Sequence, residues 1–343
     1  MSPPLSSPPL SSPPLSLPLT LADVYRARQR LAGRVALTPL VPSPSLSARM
    51  GAPVYLKLET VQPTGSFKLR GATNAIAQLA EQGATRVVTA STGNHGRALA
   101  YAARALGIEA AVCMSALVPR NKVDAVAALG ARVVIAGKSQ DEAQLAARSL
   151  VRDEGYAFVP PFDDLRVIAG QATIGLEILE ALPDAATLIV PLSGGGLFGG
   201  VAFAAKQIRP SISTVGVSMV RGAAMHASLA AGHPVDVEER ETLADSLGGG
   251  IGLENRHTFA LTRLLADDVV LLDEASIARG IAHAYREERL VVEGAGAVGM
   301  GALLEGRIQN IAHADGPIVV VVSGANIDMT VHRRIVTEDQ YAS

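Results

Sequence analysis

The strongest constraint on the fold is an alternation that begins at Val54 and runs almost to the end of the chain. Short runs rich in Val, Ile and Leu (VYLKLE, RVVTA, EAAVCM, RVVIA, TLIVPL, STVGVS, VVLL and IVVVVSG) alternate with longer amphipathic stretches. Strands that read as near-continuous apolar runs are buried on both faces. The expectation is therefore an α/β protein with doubly wound parallel sheets covered by helices. The periodicity predicts helices over residues 66–82, 95–106, 120–129, 140–154, 167–182 and 273–287, and another from the glycine loop to residue 208. Gly107, Gly130 and Gly155 follow three of these, as expected where a helix stops at a positive φ. A chain of 343 residues exceeds one small core and suits one large or two medium domains.

Composition narrows the partners. The 30 basic residues are balanced by 32 acidic ones, no basic run stands out and Trp is absent, which argues against nucleic acid held by phosphate contacts or base stacking. The single cysteine, Cys113, forms no internal disulfide and no Cys-based metal cluster. It lies in an apolar run and reads as a buried strand residue in a reducing compartment. The first 19 residues repeat Pro-Pro-Leu-Ser-Ser and carry no charge, which predicts a disordered or PPII-like tail. They have neither the positive start nor the unbroken apolar stretch of a secretory signal, and no segment reaches the roughly 18 apolar residues of a membrane span. The expectation is a cytoplasmic protein with no membrane partner.

Four loops are placed where open α/β sheets bind ligands, beyond strand ends or at helix starts. The first is Thr64-Gly65-Ser66-Phe67-Lys68-Leu69-Arg70-Gly71, with Ser66 as a candidate N-cap and Lys68 in the first helical turn. A helix N-terminus disfavours a positive lysine and suits an amine that must be neutral to attack an aldehyde. Only five of the 30 basic residues are lysines, so Lys68 is not filler. On spacing alone a solvated surface lysine is the commoner outcome. The second loop, Ser91-Thr92-Gly93-Asn94-His95-Gly96, offers backbone donors and hydroxyls to a carboxylate or phosphate, or is simply a capped helix start. The third, Ser193-Gly194-Gly195-Gly196-Leu197-Phe198-Gly199-Gly200, reads as a phosphate cradle. A dinucleotide site would want an acid about 20 residues on, where Ser218 stands, so that reading is disfavoured. The fourth, Ser323-Gly324-Ala325-Asn326, could bring a hydroxyl to a heteroaromatic nitrogen or form a plain turn.

Together and in this order, the loops resemble the serine/threonine dehydratase family of pyridoxal-phosphate enzymes, with its tryptophan-synthase-β-like fold (fold type II), over about residues 20–330. QPTGSFKLRGA resembles the family's cofactor-lysine sequence almost letter for letter, and STGNHG and SGGGL are similar to its next two signatures. The resemblance overturns the blander readings. It implies pyridoxal 5′-phosphate bound covalently at Lys68, Phe67 beside the ring and Asn94 at the 3′-oxygen. Phosphate donors come from Gly194, Gly195, Gly196 and Leu197, and Ser323 faces the pyridine nitrogen. Ser91, Thr92, Gly93, Asn94 and His95 form the substrate loop, with Ser91 and Thr92 carried as catalytic beside Lys68. It also implies a large domain over residues 20–60 and 151–330, a small one over 61–150, a tail over 331–343, and a homodimer acting on a small amino acid. The implied activity is an ammonia-lyase: water leaves a 3-hydroxy amino acid to give a 2-oxo acid and ammonia.

The departures from the family pattern matter. Ser218 stands where cation-dependent members have a glutamate, and nearby Ala223 and Ala224 supply no carboxylate either, so no metal is expected. Thr92 replaces a serine that racemases use as a second base, Ala244-Asp245-Ser246 replaces Ala-Asp-Gly, Gly294 replaces the proline after Glu293, and SGAN replaces SGGN. The run ADSLGGGIGLENRHTF is similar to the hydroxyectoine-utilisation dehydratases, which implies a 3-hydroxy-diamino acid from compatible-solute catabolism. Threonine, serine and 3-hydroxyaspartate stay open as substrates. A β-replacement enzyme of the cysteine synthase type, a racemase and a non-catalytic cofactor-binding protein stay open as alternatives.

Overall fold

A computed structural model describes residues 19–91, 93–118, 120–308 and 316–337. The strands are β1 (Leu40–Pro42), β2 (Val54–Leu58), β3 (Arg86–Ala90), β4 (Glu109–Met114), β5 (Arg132–Ile135), β6 (Ala157–Phe158), β7 (Thr187–Pro191), β8 (Ser213–Met219), β9 (Asp268–Leu272) and β10 (Ile318–Val322). They form two sheets, one in the order β1-β2-β10-β7-β8-β9 and one in the order β5-β4-β3-β6. Every pairing is parallel except β1 with β2.

The helices up to the middle of the chain are α1 (Leu21–Leu31), α2 (Pro44–Met50), α3 (Lys68–Glu81), α4 (Asn94–Leu106), α5 (Arg120–Ala127), α6 (Gln140–Glu154) and α7 (Leu165–Ala181). Then follow α8 (Gly196–Ile208), α9 (Ala224–Ala231), α10 (Thr258–Leu265), α11 (Glu274–Arg286), α12 (Gly294–Leu304) and α13 (Met329–Thr337). None is long and apolar enough to cross a membrane among the described residues. Local chemistry explains their limits. Ser139 and Glu142 form a capping box at the start of α6, and Gly155 closes it in the left-handed region.

The expected double burial is seen along β10. Ile318, Val320 and Val322 face one core cluster, while Val319 and Val321 face the other. Each such side chain contributes about 1.5–3 kcal/mol when fully buried. The smaller sheet repeats the pattern, with Val87 and Val112 on one side and Val88 and Cys113 on the other.

Several elements differ from the expectation. The sequence 294–304 (GAGAVGMGALL) has no amphipathic period, yet it is a wholly buried helix. Its glycines admit close neighbours: a Cβ at Gly296 would lie 2.6 Å from the Gly324 carbonyl, and one at Gly299 would lie 2.6 Å from Val320. Strand β6 joins the smaller sheet, so that sheet reaches past residue 150. Leu19, placed in the tail by composition, is buried in the core, and α13 occupies much of the expected C-terminal tail. Residues 1–18 lie outside the described residues.

Candidate active site

The C-terminal end of β10 organises the site. Ser66 and Gly324 form an isolated antiparallel bridge. The Phe67 amide donates to the Ser323 carbonyl at 3.0 Å, and the Ala325 amide to the Gly65 carbonyl at 2.9 Å. These bonds hold the first turn of α3 against the strand end. Ser66 does not cap the helix as expected. The capping position falls on Phe67, and the Ser66 hydroxyl is buried without a hydrogen-bond partner. The backbone pairing with Gly324 supplies the local order that a side-chain cap would otherwise give.

Lys68 keeps some exposed surface, but its amine is enclosed and donates to the Pro161 carbonyl at 2.8 Å. Burial pushes the amine down to about 8, against the opposing pull of the Glu293 charge. An amine so shifted is partly neutral near physiological pH, the form that attacks an aldehyde. The Phe67 ring lies beside it, with the amine 5.2 Å from the ring centroid.

Asn94 and Glu293 meet across the site. The Asn94 Nδ2 donates to both Glu293 oxygens, at 2.9 and 3.1 Å. Glu293 is buried, and burial raises its carboxyl above the usual range. Asn326 completes the group. Its backbone amide donates to Glu293 at 3.1 Å, and its Nδ2 donates to Asn94 Oδ1 at 2.6 Å and to the Thr64 carbonyl at 2.9 Å.

In the second loop the Ser91 hydroxyl accepts from the amides of Gly93 and Gly96, which shapes the start of α4. Thr92 lies outside the described residues. His95 is buried, and its Nε2 donates to the Val159 carbonyl at 3.0 Å, leaving Nδ1 without a partner. Burial, with the Lys68 charge adding to it, holds the imidazole down to about 3. A ring that stays neutral throughout the physiological range, its one N–H spent on Val159, orients the loop and is not a general acid.

The glycine loop opens α8. Gly195 has φ +84°, which favours glycine, and starts the helix. Gly194 and Gly196 are small for another reason. A Cβ on either would lie 2.4 or 2.9 Å from Phe162. The Phe162 side chain therefore covers one side of the loop. The first amides of any helix lack intrahelical partners, so those of Gly196 and Leu197 are available to an anion, with the helix dipole favouring negative charge.

Pro161 and Phe162 were not singled out from the sequence, yet they join the two halves of the site. One accepts from the Lys68 amine and the next covers the glycine loop. The following residue, Asp163, accepts from the amides of Arg256, His257 and Thr258 and so caps α10. Asp164 caps α7. A pair of acids just before an apolar periodic run is the sequence signal that such a junction offers.

The residues fit the cofactor that the resemblance implies. An enclosed amine of lowered basicity, a helix start opened by glycines and a buried asparagine amide suit an aldehyde, a phosphate and a ring oxygen. Ser323 is buried next to them. Ser218 is buried, with its hydroxyl on the Met219 sulfur, and among the described residues no cluster of three metal-ligating side chains occurs. Asp245 and Ser246 both act on Glu293, which places the altered Ala-Asp-Ser segment at the site. Gly294 is required: a Cβ there would lie 2.1 Å from the Leu243 carbonyl.

Comparison with known proteins agrees with this geometry. Residues 31–324 match the family described as pyridoxal-phosphate dependent enzyme. A putative threonine dehydratase of Sinorhizobium fredii is 56% identical over 319 residues, covering 93% of this chain and 95% of that protein. An L-threonine ammonia-lyase of Geobacter sulfurreducens is 41% identical, covering 95% and 81%. The solved structure of maize serine racemase superposes with a TM-score of 0.86 at 34% identity, covering 91% and 95%. The chain belongs to the pyridoxal-phosphate dependent enzymes, and within them it is an ammonia-lyase of the serine/threonine dehydratase family with the tryptophan-synthase-β-like fold.

Proposed function

We propose that the substrate is a 3-hydroxy amino acid of the threonine or serine type, with a hydroxyectoine-derived 3-hydroxy-diamino acid as a candidate within that class, and that the products are a 2-oxo acid and ammonia. The observation that carries this reading is the enclosed Lys68 amine, on the Pro161 carbonyl and lowered in basicity by burial, together with a glycine-opened helix start. Pyridoxal phosphate, when bound, stabilises the negative charge left on the α-carbon. In this reading Lys68 holds the cofactor, and its amine, once displaced by substrate, takes the α-proton at Nζ. Ser91, Thr92, Gly93, Asn94 and His95 would grip the substrate carboxylate, with Ser91 and Thr92 as further catalytic residues. The amides of Gly194, Gly195, Gly196 and Leu197 would hold the phosphate. Ser323 would present a neutral hydroxyl to the ring nitrogen, a choice that would favour prompt loss of a β-leaving group. We also propose a homodimer, and a small domain built around the four-stranded sheet.

The test is a screen of threo and erythro 3-hydroxy amino acids scored by ammonia release, with Lys68→Ala as control. Ammonia from at least one of them, lost in the variant, supports the reading. A new amino acid formed from sulfide without ammonia would assign β-replacement instead.

A further inference from the structure

The hydrogen bonds around Asn94 extend to a residue outside the family's signature loops. Arg97, one turn further along α4, donates from its guanidinium to Asn326 Oδ1 at 3.0 Å. A guanidinium has donors only, so this contact admits an oxygen and refuses an amide nitrogen. The Thr64 carbonyl, 2.9 Å from Asn326 Nδ2, imposes the same orientation from the other side, since a carbonyl accepts only. With Asn326 fixed, its Nδ2 reaches Asn94 at 2.6 Å and requires Oδ1 there. The Asn94 amide then directs its nitrogen to Glu293. The side of the Asn94 amide toward Glu293 is thus its N–H side and not its oxygen.

We infer that Arg97, acting through Asn326, is a positioning residue that sets which way the Asn94 amide faces, so that an N–H and not a carbonyl oxygen meets the cofactor. Asparagine amides are nearly symmetric in shape, so packing alone distinguishes the two orientations weakly. Two partners of fixed polarity, Arg97 and Thr64, remove the ambiguity. Gly65 takes part through its size: a Cβ there would lie 2.8 Å from Asn326 Oδ1, so glycine lets Asn326 sit where both contacts are made.

The inference rests on the proposed contact of Asn94 with the cofactor, and one experiment separates the two. Holoenzymes of the parent, Arg97→Met, Arg97→Lys and Asn94→Ala are compared by cofactor dissociation constant and by the balance of the cofactor's visible and near-ultraviolet bands. Without Arg97 only the Thr64 carbonyl holds the Asn326 amide, and the grip of Asn326 on Asn94 loosens, so R97M is expected to bind about tenfold more weakly, the scale of one lost hydrogen bond that leaves a buried group unpaired. The band balance shifts toward the near-ultraviolet. R97K, which keeps a donor-only cation, restores both readouts. If R97M does not fold, Asn326→Asp, which removes the amide donors, takes its place with the same expected losses. Parent-like affinity and bands in R97M, with N94A altered, overturn the role of Arg97 and leave the site intact. Parent-like behaviour in N94A overturns the contact of Asn94 with the cofactor, and the inference with it.

Discussion

The Phe162 ring lies so close over Gly194 that a Cβ at residue 194 would be 2.4 Å from ring carbon Cδ1. The triple glycine therefore makes room for an aromatic ring on one side, while in the proposed reading its amides serve the cofactor's phosphate. Gly194→Ala should destabilise the protein by about 1–3 kcal/mol through overpacking and should also weaken cofactor binding. Thermal unfolding and cofactor titration check both. A variant with parent-like melting and affinity would show that the ring moves aside at no cost.

A buried charge cluster anchors α3 behind Lys68. Arg70 pairs with Glu59 at 2.8 Å and with Glu177 at 2.5 Å, and Lys57 pairs with Glu177 at 2.6 Å. Arg70 and Glu59 are fully buried. Arg70→Met leaves charge uncompensated in the interior and should cost about 3–5 kcal/mol in urea unfolding. A loss below 1 kcal/mol would contradict this.

The same cluster gives a pH dependence. Burial alone would raise the Glu59 carboxyl, but the charge and hydrogen bonds of Arg70 outweigh it and hold the group below its ordinary value. Folding thus favours the ionised form. Its contribution is complete above the unfolded glutamate value of about 4.3 and is lost as pH falls through the lower folded value. Acid unfolding of Glu59→Gln should therefore show less pH dependence below about 4.3 than the parent. An equal slope in both proteins would rule out this carboxylate as a source of acid lability.

Asp163 connects the site to α10 through three backbone amides. Asp163→Ala should cost about 1–2 kcal/mol, the scale of a lost cap. It should also loosen the adjoining Phe162, seen as faster amide exchange in the glycine loop. Unchanged exchange there would show that Phe162 is held without Asp163.

The strands are legible in the sequence because both faces of each parallel sheet are covered, so Val and Ile runs need no alternation. Lys68, Asn94, Ser323 and the glycine loop are legible because strand ends and helix starts concentrate ligand chemistry there. Helix α12 is not, since a helix buried all round has no polar face to set a period. Ser66 misleads because a cap inferred from residue type ignores the backbone pairing with Gly324, which lies just past β10 and more than 250 residues away in sequence. Phe162 and Arg97 escape for a related reason. Their roles lie in contacts between distant segments, and neither residue type announces them.

The central claim is that Lys68 is the amine that binds the cofactor, and its shifted basicity makes that claim measurable. Capture of pyridoxal phosphate by the cofactor-free protein should accelerate with rising pH, half-maximally near pH 8, where the amine becomes neutral. Borohydride reduction followed by peptide mass spectrometry should then find the pyridoxyl group on Lys68. Its recovery on another lysine, or no adduct under saturating cofactor, would contradict the account.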